Sequence, residues 1–164
     1  MIENYANLGK QTVMIRIREA TIKDKPDIVS FQLAMARETE DLILDPNVVS
    51  LGVAAIFDDP AKGTYYVAES EGKVIASLLT TYEWSDWRNG QILWIQSVYV
   101  LKPYRGKGTF RKLYESVKSM VLSYDNDFKG IRLYVDNTNH AAQGVYEKLG
   151  MEGNHYKTFE WMNS

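Results

Sequence analysis

Apolar positions along the chain change period several times, and each change marks a predicted element. Residues 13–18, Val13-Met14-Ile15-Arg16-Ile17-Arg18, alternate in the manner of a half-buried strand. Ile28, Phe31 and Met35 then recur at helical spacing behind two N-cap candidates, Thr21 and Asp24, with Pro26 where a first turn accepts it. This predicted helix runs out in Arg37-Glu38-Thr39-Glu40-Asp41. A second helix opens at Asp45-Pro46, carries Val49, Val53 and Ile56 on one side, and stops at Asp58-Asp59-Pro60. Residues 64–68 and 74–82 read as strands joined by the turn Ser70-Glu71-Gly72-Lys73. A third strand, 91–101, follows the connection Trp84-Ser85-Asp86-Trp87-Arg88-Asn89-Gly90, which completes an antiparallel meander.

The strongest amphipathic stripe comes next: Phe110, Leu113, Tyr114, Val117, Met120, Val121 and Tyr124 fall three or four apart. Ile131, Leu133 and Val135 alternate with Arg132 and Tyr134 and predict a strand reached through a helical, hence parallel, crossover. Asn139 caps a last helix with Ala142, Val145, Tyr146 and Leu149 on its inner face and Gly150 as its stop. Residues 159–162 close the chain as a strand. The expected fold is α/β, a mixed (α+β) central sheet flanked by helices in the order β-α-α-β-β-β-α-β-α-β. The expected organisation is a single domain over residues 1–164, with 1–12 as an N-terminal extension.

Composition narrows the function. With 45% hydrophobic and 24% charged residues the chain is of ordinary globular type. It has no cysteine, so disulfides, thiolate metal sites and a cysteine nucleophile are excluded. A net charge of −2 argues against broad nucleic-acid binding. No apolar run reaches the roughly 18 residues of a membrane span, and the N-terminus has no apolar signal core, so a cytoplasmic protein without membrane contact is expected. His140 and His155 stand at no metal-ligand spacing, no serine sits in a Gly-x-Ser-x-Gly elbow, and no metal site is expected.

The chemistry concentrates in residues 94–114. There a strand rich in β-branched and aromatic residues meets Pro103, and the stripe of the longest helix begins at Phe110. Gly106 and Gly108 therefore fall at a helix N-terminus, where backbone N–H groups lack intrahelical partners and suit an oxyanion. Arg105 and Lys107 add positive charge. A plain Gly-rich strand-to-helix connection is the structural alternative. The P-loop spacing is absent, Arg111 stands where a dinucleotide fingerprint needs a small residue, and Lys107 stands where an RNA-recognition sheet needs an aromatic.

What the stretch resembles is the acyl-CoA pyrophosphate loop of the GNAT superfamily of N-acetyltransferases, Arg/Gln-x-x-Gly-x-Gly/Ala after a strand ending Val-x-Pro-x-Tyr. Arg105 and Gly108 match it; Phe110 departs from it. Residues 139–151 resemble the second signature of that family, Asn-x-x-Ala-x-x-x-Tyr-x-x-x-Gly-Phe, with Met151 in place of the aromatic. Alone, this second stretch reads equally as a capped helix with Tyr146 in the core. The two motifs occur in the right order, separated by a helix and a strand, and agreement between independent features strengthens both.

The resemblance implies acetyl-CoA as acyl donor, lying between splayed strands at 91–101 and 131–135. It implies backbone contacts from Val98, Tyr99 and Val100 to the pantetheine arm, pyrophosphate on the N–H groups of Arg105, Gly106, Lys107, Gly108, Thr109 and Phe110, and a pantetheine contact from Asn139. Tyr146 would protonate the departing thiolate. The other partner would be an amine acceptor, and a homodimer is compatible with the reading. An alkyl amine, with a pKa of about 10, must lose a proton before it attacks. Many family members supply a Glu from the long strand, but this strand offers Trp94, Gln96 and Ser97. The nearest alternatives are Glu83, beside the aromatic cluster with Asp86, and Glu38, Glu40 and Asp41 after the first helix. Glu83 is the expected proton relay, with the first-helix acids guiding a small primary amine or peptide amine; the structural alternatives are a solvated loop with Trp84 and Trp87 packed on the sheet, and a solvated helix end at Glu38, Glu40 and Asp41. A non-catalytic acyl-CoA or nucleotide-phosphate binding module is the alternative function.

Overall fold

The computed structural model describes residues 14–123, 127–153 and 156–162. The 1–12 extension, Val13, Tyr124 and His155 lie outside them. Two compact units divide the chain at Arg132/Leu133.

The first unit is a five-stranded sheet in sequential order, β1 (Ile15–Glu19), β2 (Thr64–Ser70), β3 (Lys73–Ser85), β4 (Gly90–Val100) and β5 (Phe128–Arg132). The first four strands pair antiparallel, and β5 joins β4 in parallel through the crossover helix α3 (Thr109–Ser123). Between β1 and β2 lie α1 (Lys25–Thr39) and α2 (Pro46–Asp58).

Burial explains the layering. On β3, residues 76–80 are buried without interruption, as a strand must be when helices cover both sheet faces. On one side Leu79 packs with Ile28 of α1, Val53 of α2, and Tyr65 and Val67 of β2. On the other, α3 buries Leu113, Tyr114, Val117 and Val121 of its predicted stripe. Ile28, Leu78, Leu93 and Leu113 are fully enclosed, and each contributes roughly 1.5–3 kcal/mol of transfer free energy. The helix starts follow local chemistry: Asp45 Oδ1 accepts from the Asn47 N–H at 2.8 Å, and Pro46 occupies the first turn of α2.

In the second unit α4 (His140–Lys148) is capped by Asn139, whose Oδ1 accepts from the Ala142 N–H at 3.1 Å. Its far end closes with Gly150 at φ 81°, the Met151 N–H donating to the Tyr146 carbonyl and the Gly150 N–H to that of Glu147. That is a Schellman cap, and it accounts for the glycine.

Two predicted strands are corrected. The fifth runs over Phe128–Arg132 and not over 131–135, because its parallel partners on β4 are Gln91, Ile92, Leu93 and Trp94. Residues 159–162 form no strand; Phe159 and Trp161 are exposed. The alternation there had no neighbouring strand to pair with, and pairing, not pattern, makes a strand.

Candidate active site

Three features of the first unit converge on the carboxyl end of β4. The first is a parting of strands. β5 ends at Arg132, opposite Trp94, so β4 continues from Ile95 to Val100 with no strand among the described residues beside it on that side. Backbone groups on that side, other than the Val100 carbonyl taken by Arg105, can receive an extended ligand in the way an edge strand accepts one.

The second is a bulge that sequence reading missed. Ser77 pairs with Tyr99 but Leu79 pairs with Gln96, so Ser97 and Val98 together oppose Leu78. Ser97 adopts φ 50°, unusual for a residue with a Cβ. One extra residue re-aims the N–H groups around Val98 out of the regular ladder. A serine inside a run of strand-forming residues was the only available signal, and it is a faint one.

The third is the glycine turn. After β4 a single 3₁₀ turn, Lys102–Tyr104, leads to Arg105 and on to α3. Gly106 and Gly108 hold φ of 71° and 80°, and a Cβ built on either would meet no protein atom within 4 Å. Glycine is present for its backbone freedom, and the space before the turn is open. The Thr109 hydroxyl, almost wholly buried, donates to the Tyr104 carbonyl at 2.9 Å and fixes the start of the helix. Lys107 stands over the Tyr104 ring at 5.9 Å, and Phe110 lies against Tyr114 with ring centroids 6.3 Å apart. The bulky Phe110 thus turns along its own helix and leaves the turn open. An unsatisfied helix N-terminus, open space and local cations fit a pyrophosphate, and the unpaired β4 edge fits an amide-bearing arm.

Arg105 takes an unexpected position. Its Nε donates to the Val100 carbonyl at 2.7 Å and its Nη2 to Glu38 Oε2 at 2.8 Å, while the guanidinium lies 5.2 Å above the Tyr99 ring. The Tyr99 hydroxyl donates to the other Glu38 oxygen at 3.0 Å, and Lys102 approaches that oxygen at 3.5 Å. The hydrogen bond from Arg105 holds the Glu38 carboxyl below the ordinary glutamate range. Burial raises the Tyr99 phenol, with the Glu38 hydrogen bond adding to it.

Glu83 stands elsewhere on the same sheet face. Oε2 accepts from the Trp94 indole Nε1 at 2.5 Å and Oε1 from Arg132 Nη1 at 2.6 Å, so the carboxylate bridges β3, β4 and β5 where the strands part. Beside it Gln96 Nε2 donates to the Thr81 hydroxyl at 2.7 Å. The structure therefore separates the two groups of acids. Glu38 lies against the turn through Tyr99, the partner of Ser77, while Glu83 stands six residues further along β3, and at roughly 3.3 Å per residue that is about 20 Å. Trp84 and Trp87 are exposed at 60% and 89% and do not pack on the sheet. In the second unit Asn139 spends its side-chain oxygen on the helix cap, and burial pushes the Tyr146 phenol above its usual value.

A mixed sheet with a parting parallel pair and a glycine turn at the carboxyl end of its long strand defines an α/β protein, a class in which ligands bind outside strand ends. More narrowly, the chain belongs to the acetyltransferase (GNAT) family, whose family model matches residues 27–151. A crystal structure described as that of a possible acetyltransferase from Clostridium difficile 630 is 44% identical, with a TM-score of 0.84 over 92% of this chain and 98% of that one. A predicted acetyltransferase with acetyl-CoA from Clostridium acetobutylicum shares 17% identity at a TM-score of 0.69, over 92% and 96% of the two chains. A ribosomal-protein-alanine N-acetyltransferase from Brucella melitensis biovar Abortus 2308 shares 11% at 0.74, over 92% and 100%. These last two show likeness of fold. Among the described residues no helix is long and apolar enough to cross a membrane.

Proposed function

We propose that the protein is an N-acetyltransferase that passes an acetyl group from acetyl-CoA to a primary amine of a small molecule or peptide by direct attack. The observation that carries this is the freed β4 edge leading into the open glycine turn, in a chain of the GNAT family. In this reading residues 1–164 act as one domain, a view supported by a family match that runs across the boundary of the two compact units. The work is done in the cytoplasm.

The Val98, Tyr99 and Val100 backbone aligns the pantetheine arm, and the N–H groups from Gly106 to Phe110 hold the pyrophosphate. Asn139 contributes to the arm through its amide. A neutral amine adds to the thioester carbonyl, and the Val98 N–H beside the bulge donates to the oxygen as it gains charge. The amine proton leaves through water to Glu83, which supplies from β3 the carboxylate that β4 lacks. The C–S bond breaks, and Tyr146 gives its proton to the departing thiolate; a phenol held above its usual pKa is fully protonated at neutral pH.

One observation favours a second reading. Both Glu83 oxygens already accept hydrogen bonds, from Trp94 and Arg132, which suits a structural carboxylate in a non-catalytic acyl-CoA binding module. Turnover decides between them. Purified protein with acetyl-CoA and a panel of primary amines should release free thiol in proportion to acetylated amine. A chain that binds acetyl-CoA by calorimetry yet acetylates no amine on a broad panel is the binding module.

A further inference from the structure

We infer that Glu38, at the end of α1, is a positioning residue for the glycine turn, acting through Arg105, and that Arg105 holds the turn and does not itself contact the pyrophosphate. This rests on the acetyl-CoA reading above. Arg105 opens the phosphate-loop motif, so the electrostatic expectation is an arginine aimed at phosphate. Two of its donors point elsewhere. Nε is spent on the Val100 carbonyl, the last residue of β4, and Nη2 on Glu38, 67 positions earlier in sequence. The Tyr99 ring lies beneath the guanidinium, and the Tyr99 hydroxyl takes the second oxygen of the same glutamate. Tyr99 is itself stacked on Phe31 of α1 at 5.3 Å. One carboxylate therefore ties three things together: the helix before the connection to α2, the end of β4, and the first residue of the turn.

Such a latch reduces the conformations the turn must give up when ligand arrives, which is affinity gained by preorganisation. It also needs the planar fork of arginine. A lysine carries the same charge but cannot serve Val100 and Glu38 in one geometry.

The two roles predict opposite signs. If Arg105 bound phosphate, Glu38→Gln would remove a competing negative charge beside a dianion, free Arg105, and tighten acetyl-CoA. If Glu38 positions the turn, Glu38→Gln loosens it and weakens acetyl-CoA, on the order of three- to tenfold for a half-exposed charged pair. The experiment is calorimetry of acetyl-CoA against the parent chain, Glu38→Gln, Arg105→Lys and the double variant, with circular dichroism and melting temperature as checks on folding. Three results are expected: weaker binding in both single variants, a double variant no weaker than the worse single, and a salt dependence of Kd unchanged from the parent, since no direct phosphate contact is lost. In turnover Glu38→Gln should raise KM for acetyl-CoA with kcat nearly kept. Equal or tighter binding by Glu38→Gln, or parental binding by Arg105→Lys, overturns the latch while leaving the acetyl-CoA reading in place. A parent chain that binds no acetyl-CoA overturns both.

Discussion

At the scale of the residue, Asp24 shows how much one buried carboxylate is asked to do. It is 5% exposed, the Arg18 guanidinium reaches its two oxygens at 2.8 Å each, and Arg18 Nε goes on to Glu69 at 2.9 Å. The hydrogen bond from Arg18 is the main cause that holds the Asp24 pKa down at about 2. A folded-state pKa below the unfolded value of about 3.9 means stability that is complete above pH 4 and lost as pH falls toward 2. Urea unfolding should therefore show a loss of about 2 kcal/mol across that window from this group. Asp24→Asn should be destabilised at pH 7 and lack that part of the acid dependence. The catalytic assignments are tested singly as well. Tyr146→Phe should lower kcat by roughly 10²-fold, the lower end for a general acid, with calorimetric affinity for acetyl-CoA kept. Glu83→Gln should lower kcat/KM for the amine at every pH and leave acetyl-CoA affinity unchanged. Parental turnover by Glu83→Gln would move the proton relay to another group.

At the scale of the element, legibility followed the source of each signal. The α3 stripe was readable because Leu113, Tyr114, Val117 and Val121 are buried at the spacing a helix imposes, and that spacing is local. Asp45-Pro46 and Asn139 announced their helices because capping is a contact across two or three residues. Strand edges were less readable, since the limits of β5 depend on Gln91 to Trp94 and the alternation of 159–162 had no partner. Of the site, the glycine turn was legible and the Ser97 bulge was not. Glu38 read as a solvated helix end because its partners Tyr99 and Arg105 are more than sixty residues away. The turn itself yields the sharpest test of this scale. Gly108 sits at φ 80° with open space before it, so Gly108→Asp adds backbone strain and negative charge where the pyrophosphate is proposed to rest. Acetyl-CoA binding should vanish from calorimetry. Unchanged binding would remove the turn from the site.

At the scale of the whole molecule, the proposal of one domain makes a thermal prediction. Three of the four tryptophans, Trp84, Trp87 and Trp94, belong to the first compact unit and Trp161 to the second. A single cooperative domain should unfold with coincident tryptophan fluorescence and far-ultraviolet dichroism, with calorimetric and van't Hoff enthalpies equal. Two separated transitions would make the units independent. The β4 bulge also reaches across the molecule, through parity. Gln96 shares the α1 side of the sheet with Leu79, and Tyr99, which meets Phe31 of α1, lies on that side too, although an odd number of steps separates the two. Ser97 is the half-step that lets even positions serve that face below the bulge and odd positions serve it above. Deleting Ser97 would give β4 a more regular ladder and would swing Tyr99 toward α3, away from Phe31 and Glu38. The more perfect strand should make the less stable protein, with a lower melting temperature and the turn cut loose from α1.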